Sequence, residues 1–171
     1  MMPHPIARLA PVPIALLLGL ATLLATSARS TVGQEGEPAA AEPHRSPIAL
    51  ALSPDGSRIL TANQTADSVS LVDTSSGSVL AEVLTGEKPA GVAFAPDAQR
   101  AAVTHWYGYD LAVLRVGDDS LEVVGRVEVG PEPRGVVIAA DGVTAYVAVG
   151  VANEVVRVDL DRLEITGRVA V

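Results

Sequence analysis

The sequence contains no cysteine. That removes disulfide frameworks, thiolate metal sites and covalent haem attachment from this chain. Aromatic residues are almost as scarce, with one Trp, one Phe and three Tyr in 171 residues. A core must therefore be built from Val, Ala and Leu. Of the three histidines, His105 alone falls in the patterned part of the chain. Neither Gly-x-Ser-x-Gly nor His-x-x-x-His occurs, so no hydrolase motif is visible and no metal set is expected. No segment sustains a helical period. Positive charge is short as well: 12 Lys and Arg stand against 20 Asp and Glu, for a net charge of −8. The first 30 residues hold Arg8 and Arg29 and no acid, so the excess of acid belongs to the rest of the chain. An acidic body repels phosphate backbones, which argues against nucleic acid as a partner.

What the chain does have is one statement made three times. Ser46–Gly56, with Arg58–Asn63 behind it, is restated from Pro89 through Asp97 to His105, and again from Pro133 through Gly142 to Val149. Pro47, Pro89 and Pro133 lie 42 and 44 residues apart, and Asp55, Asp97 and Asp141 keep the same intervals. A fixed period of that length marks a supersecondary unit repeated in tandem.

Residues 1–30 read as a secretory signal. A short polar start with His4 and Arg8 precedes the apolar run Ile14–Leu24, and Thr26-Ser-Ala28 and Ala28-Arg-Ser30 offer small residues for cleavage. An uncleaved anchor is the competing reading, but Pro11 and Pro13 shorten the helix below the roughly 20 residues a span requires. A secreted or periplasmic location is expected, with membrane contact only through this segment if it stays uncleaved. Residues 31–45 are small, polar and rich in Pro and Glu, and read as a solvated linker.

Residues 46–171 divide into units 46–88, 89–132 and 133–171. In the first, Ile48–Leu52 meets the turn signal Ser53-Pro-Asp-Gly56 and returns as Arg58–Ala62. Val69–Asp73 and Val79–Thr85 follow across the turn Thr74–Ser78. The other units repeat this plan with inner strands at Val92–Ala95 and Val136–Ala139. Three near-continuous apolar strands predict sheets covered on both faces, and a better alternating fourth predicts an outer strand. The expected fold class is all-β, with three four-stranded antiparallel blades of a β-propeller.

The residues also carry a family resemblance. Pro-x-Gly-Val-(Ala/Val)-x-(Ser/Ala)-Pro-Asp-Gly, then Val-x-(Leu/Arg)-Val-Asp, with Tyr146-Val147 and the pair Asp73 and Asp159 at signature positions, resembles the YVTN-type propeller repeat over residues 46–171. That resemblance implies the fold. For activity it spans lactonases, surface-layer proteins and propellers fused to cytochromes.

Three blades do not close a ring, since propellers have about four to eight. Further blades are expected beyond Val171, with a multi-chain ring as the alternative. One rim collects the loops between second and third strands together with the inter-blade connections. There the second unit breaks pattern with His105-Trp-Tyr-Gly-Tyr109-Asp110, which holds three of the five aromatics. His105, Trp106, Tyr107 and Tyr109, with Arg134 behind Pro133, form the candidate contact for an unidentified ligand or protein. The competing reading is that the aromatics pack between blades. Asp110 lies near His105, but no pattern fixes a pairing. The expected function is that of an interaction module without catalysis or cofactor. The alternative is a portion of a lactonase-like enzyme or of a cytochrome-fused redox protein.

Overall fold

Each repeat begins by turning the chain through a left-handed residue. Ser46, Lys88 and Glu132 have φ of 46°, 53° and 54°, a region that non-glycine residues seldom enter, and a proline follows each of them. Helical backbone is disfavoured directly before proline, so these three residues place a sharp corner and then release an extended strand. The computed structural model describes residues 44–171. The signal segment and all of the linker before His44 lie outside the described residues.

Twelve strands follow. They are β1 (Pro47–Leu52), β2 (Arg58–Asn63), β3 (Ser68–Asp73), β4 (Val79–Leu84), β5 (Pro89–Phe94), β6 (Arg100–His105), β7 (Asp110–Val116), β8 (Leu121–Glu128), β9 (Pro133–Ile138), β10 (Thr144–Val149), β11 (Glu154–Asp159) and β12 (Glu164–Ala170). They form three four-stranded antiparallel meanders, one per repeat, and the described residues contain no helix. The inner strands begin at the prolines, earlier than the apolar runs at Val92 and Val136 predict. Proline lacks an N–H and can occupy the first residue of a strand.

The hairpin turns are built alike. The amides of Gly56, Ala98 and Gly142 donate to the carbonyls of Ser53, Ala95 and Ala139 at 2.9, 2.9 and 3.0 Å. Asp55, Asp97 and Asp141 each accept the amide two residues on. Ala98 has φ of 57° where its siblings are glycines at 75° and 70°, so blade 2 makes the same turn with a strained residue.

Blades pack face to face. Leu60, Val69 and Leu71 of blade 1 meet Val92, Val103 and Leu114 of blade 2 in one core cluster. Leu111, Val113 and Val127 of blade 2 meet Val136, Val147 and Val156 of blade 3 in another. Each Val or Leu so buried contributes about 1.5–3 kcal/mol. Strand β6 is sandwiched between neighbours, which is why Ala101–His105 are all buried. Approach is closest at Gly91, where a Cβ would stand 2.2 Å from the Arg134 carbonyl oxygen. Only a residue without a side chain fits there. The outward faces of blades 1 and 3 are open: Leu50 is 69% exposed and Val137 61%.

Candidate interaction rim

The rim that holds the candidate residues is organised by one backbone bond made three times. The amides of Gln64, Trp106 and Gly150 donate to the carbonyls of Ser46, Lys88 and Glu132, at 3.0, 2.8 and 3.2 Å. Each loop after a second strand is thereby tied to the connection that enters its own blade. Loops and connections share one rim, as the strand pattern predicts.

On that frame His105 ends β6 directly opposite Asp110, the first residue of β7. The imidazole is fully buried and its Nδ1 lies 2.6 Å from Asp110 Oδ1. A carboxylate can only accept, so the Nδ1–H donates. Asp110 Oδ2 accepts from Arg126 Nη1 at 3.0 Å. The other guanidinium nitrogen, Nη2, donates to the carbonyl of Thr85, the residue after the outer strand of blade 1. Burial pushes the Asp110 carboxyl up, but the His105 hydrogen bond and charge and the Arg126 guanidinium together outweigh it and hold the group below its ordinary value. Register between adjacent strands creates the His105–Asp110 pair, and a five-residue separation in sequence does not reveal that register.

The same corner exists in the other blades with different occupants. Blade 3 has Val149, Glu154 and Arg168, with Arg168 bonded to Glu154 at 2.9 Å and to the Val129 carbonyl at 3.1 Å. Blade 1 has Asn63, Ser68 and Glu82. There Asn63 donates to Ser68 and Ser70, Ser68 donates to Glu82, and Arg45 pairs with Glu82 at 2.9 Å.

Trp106 lies at the junction of blades 2 and 3. The Arg134 guanidinium, from the start of β9, stacks 4.4 Å from the Trp106 ring centroid. The Tyr107 ring is tilted 38° to the Trp106 ring, with centroids 5.4 Å apart. Arg134 also reaches Glu132 at 3.3 Å. Tyr107 and Tyr109 are 55% and 45% exposed, and Tyr109 has φ of 57°, which turns the chain back into β7. Trp106 is therefore partly packing, and the surface it supports is Arg134 with Tyr107.

Three buried polar atoms lack a partner among the described residues: Thr85 Oγ1, His105 Nε2 and Trp106 Nε1. All lie in or beside this loop. His105 Nε2 is out of reach of a substrate in this conformation. Its Asp110 partner fixes the orientation of the ring at the root of the loop. Among the described residues no group of three or more His, Asp or Glu gathers to hold a metal.

The opposite rim holds a cleft of about 720 Å³ lined by Arg58, Arg100 and Arg115 among others. Each of these arginines has a partner in the chain: Arg58 donates to the Gly117 carbonyl at 2.6 Å, Arg100 pairs with Asp161, and Arg115 pairs with Glu122. Arg115 stands where Asp73 and Asp159 cap the corresponding turns of blades 1 and 3. This second departure of blade 2 is visible in the sequence once the repeats are aligned residue by residue.

No protein-family model and no curated protein matches the chain. Solved structures do. Hydrazine synthase from Kuenenia stuttgartiensis superposes with a TM-score of 0.69 at 28% identity, over 81% of this chain and 39% of that one. A Bacteroides fragilis protein assigned as a 6-phosphogluconolactonase superposes with a TM-score of 0.67 at 18% identity, over 76% of this chain and 40% of that one. Both are propeller-like, as is this all-β chain of four-stranded blades. The chain spans about two fifths of the length of either.

Proposed function

We propose that this chain is an exported YVTN-type propeller module that recognises a protein partner through the rim of its second blade, within a ring completed by further blades. The observation that carries the reading is the stacked surface Arg134–Trp106–Tyr107, on the same loop as the exposed Tyr109. Trp, Tyr and Arg are the residue types that dominate binding energy at protein interfaces. The aromatic rings are held by stacking, so little side-chain entropy remains to be lost on binding. The one histidine among the repeats is fully buried, which favours recognition over catalysis. Export rests on the apolar run Ile14–Leu24 and the small residues that follow it.

The test is capture from the culture medium or periplasm of the producing cell, with the chain as bait and Tyr107→Ala and Arg134→Ala as controls. A specific partner should lose about tenfold or more in affinity with each substitution, at unchanged unfolding midpoint. A partner indifferent to both overturns the rim. The second reading, a portion of a propeller enzyme, draws its support from the 28% identity to a hydrazine synthase chain. It would be favoured by turnover that survives loss of the rim aromatics.

A further inference from the structure

The cleft of about 720 Å³ on the rim of turns draws its lining from blades 1 and 2, and blade 2 breaks the repeat there at a single residue. In each blade one residue of the third strand stands directly opposite the first residue of the second strand. Asp73 faces Arg58 and Asp159 faces Thr144, but Arg115 faces Arg100. Like charges directly opposite each other across two strands are unfavourable. The same residue also deprives blade 2 of a turn cap. Asp73 accepts the amide of Ser76, and Asp159 those of Asp161 and Arg162. A guanidinium has no acceptor and cannot do this. Arg115 therefore works against the fold twice, at a position that lines a cleft. Local rules broken without a gain in stability are characteristic of functional sites.

We propose that Arg100 and Arg115, with Arg58 across the seam, bind the carboxylate or phosphate group of a small hydrophilic anion. Among the described residues each arginine is engaged through Nη1 alone: Arg58 by the Gly117 carbonyl, Arg100 by Asp161 and Arg115 by Glu122. The other N–H groups of each planar fork are donors suited to a second pair of oxygens. Arg58 makes no ion pair with a described residue, so its charge is available to a ligand. The side chains of Arg115 and Glu122 are 67% and 63% exposed. A pair so exposed is worth little, and Glu122 gives way to a ligand at small cost. Asp97 also lines the cleft, but its carboxylate accepts the Gln99 amide at 2.9 Å within its own turn. Asp118 remains as an acceptor for a hydroxyl group of the ligand. The volume suits a small molecule, and Val116 supplies the one apolar side chain among the lining residues, so the ligand is hydrophilic. With a net charge of −8 the chain does not gather anions through its overall field, which makes binding here local to the three guanidinium groups. The site lies on the rim opposite the aromatic loop and stands independently of the reading of that loop.

Isothermal titration of the full chain with inorganic phosphate and with malonate, in a zwitterionic buffer, reads the binding, and the unfolding midpoint should rise with either anion that binds. Binding of phosphate alone supports the proposal with a phosphoryl ligand, of malonate alone with a carboxylate, and of both with recognition of the oxyanion itself. Arg115→Asp copies blades 1 and 3. Without anion it should unfold at or above the wild-type midpoint, because it restores a turn cap and an opposite-charge pair, yet it should bind at least about tenfold more weakly. Arg115→Gln removes the fork without adding an acid and should weaken binding by a similar factor. Binding that survives both variants marks an adventitious ion only and overturns the proposal. So does a wild type that binds neither anion at up to about 10 mM, or binding that Arg134→Ala removes, which would place the anion on the aromatic rim. Weakening by Arg115→Asp alone would trace the effect to the added acid and overturn the role of the fork. An Arg115→Asp chain less stable than wild type without anion overturns it as well, since Arg115 would then serve the fold.

Discussion

Blade 2 and blade 3 carry the same corner built from different residues. Both use an acid at the start of the third strand, Asp110 or Glu154, to aim an arginine of the outer strand at a carbonyl of the preceding blade. Blade 2 adds a buried histidine behind the acid, where blade 3 has Val149. The staple therefore does not depend on the imidazole. What His105 adds is a second anchor for Asp110, at the root of the one loop that carries exposed aromatics. The blades differ in their surroundings too. Blade 2 is covered on both faces, whereas blade 3 has one face open.

The largest test of that difference uses the glycine the two blades share. Gly91 and Gly135 hold the same position in the repeat, but a Cβ at Gly91 meets backbone at 2.2 Å and one at Gly135 meets nothing within 4 Å. Gly91→Ala should cost about 2–3 kcal/mol, since the strand itself must shift. Gly135→Ala should be neutral or stabilise the single chain by up to about 0.5–1 kcal/mol through lower chain entropy. Urea unfolding midpoints measure both.

The corner itself comes next. Asp110→Ala leaves a buried imidazole and a guanidinium without their shared acceptor and should cost about 2 kcal/mol. His105→Val copies blade 3, keeps the Asp110–Arg126 bond, and should cost about 1 kcal/mol or less. If His105→Val instead costs as much as Asp110→Ala, the imidazole is part of the staple and the comparison between the corners fails.

These corners also show where sequence reasoning stops. The repeat makes the blade plan legible because proline, aspartate and glycine act locally: each sets a dihedral or caps a turn within three residues of itself. The rim was legible as a departure from the repeat, since Trp106, Tyr107 and Tyr109 have no counterparts in the other units. The His105–Asp110–Arg126 chain was not, because it depends on the register of three adjacent strands. The stacking of Arg134 on Trp106 joins two blades and is set by packing alone. The arginines that close the seams are likewise cross-blade contacts and leave no mark in the spacing of any single unit.

The smallest test separates the turns, and it is read in acid. Asp73 accepts the Ser76 amide and the hydroxyls of Ser75 and Ser76 at 2.7 Å each. Led by the Ser75 and Ser76 hydroxyls, these bonds lower its pKa from 3.8 to about 2. Asp55, held by Ser53 and Ser57, is lowered to about 2 as well. A folded pKa below the unfolded value means that the carboxylate stabilises the fold at pH above about 4, and that this contribution fades as pH falls through the folded value near 2. Blade 2 has Arg115 at the position that Asp73 holds in blade 1, and its turn between the third and fourth strands is closed by backbone instead, the Gly117 amide donating to the Ser120 carbonyl at 2.9 Å. The Ser76 amide proton shift should therefore titrate with a midpoint near 2, and Asp73→Asn should abolish that titration while leaving the Gly117 amide shift at neutral pH unchanged. A Ser76 titration that survives Asp73→Asn would mean that acid loosens the blade as a whole and that the turn carboxylate does not set it.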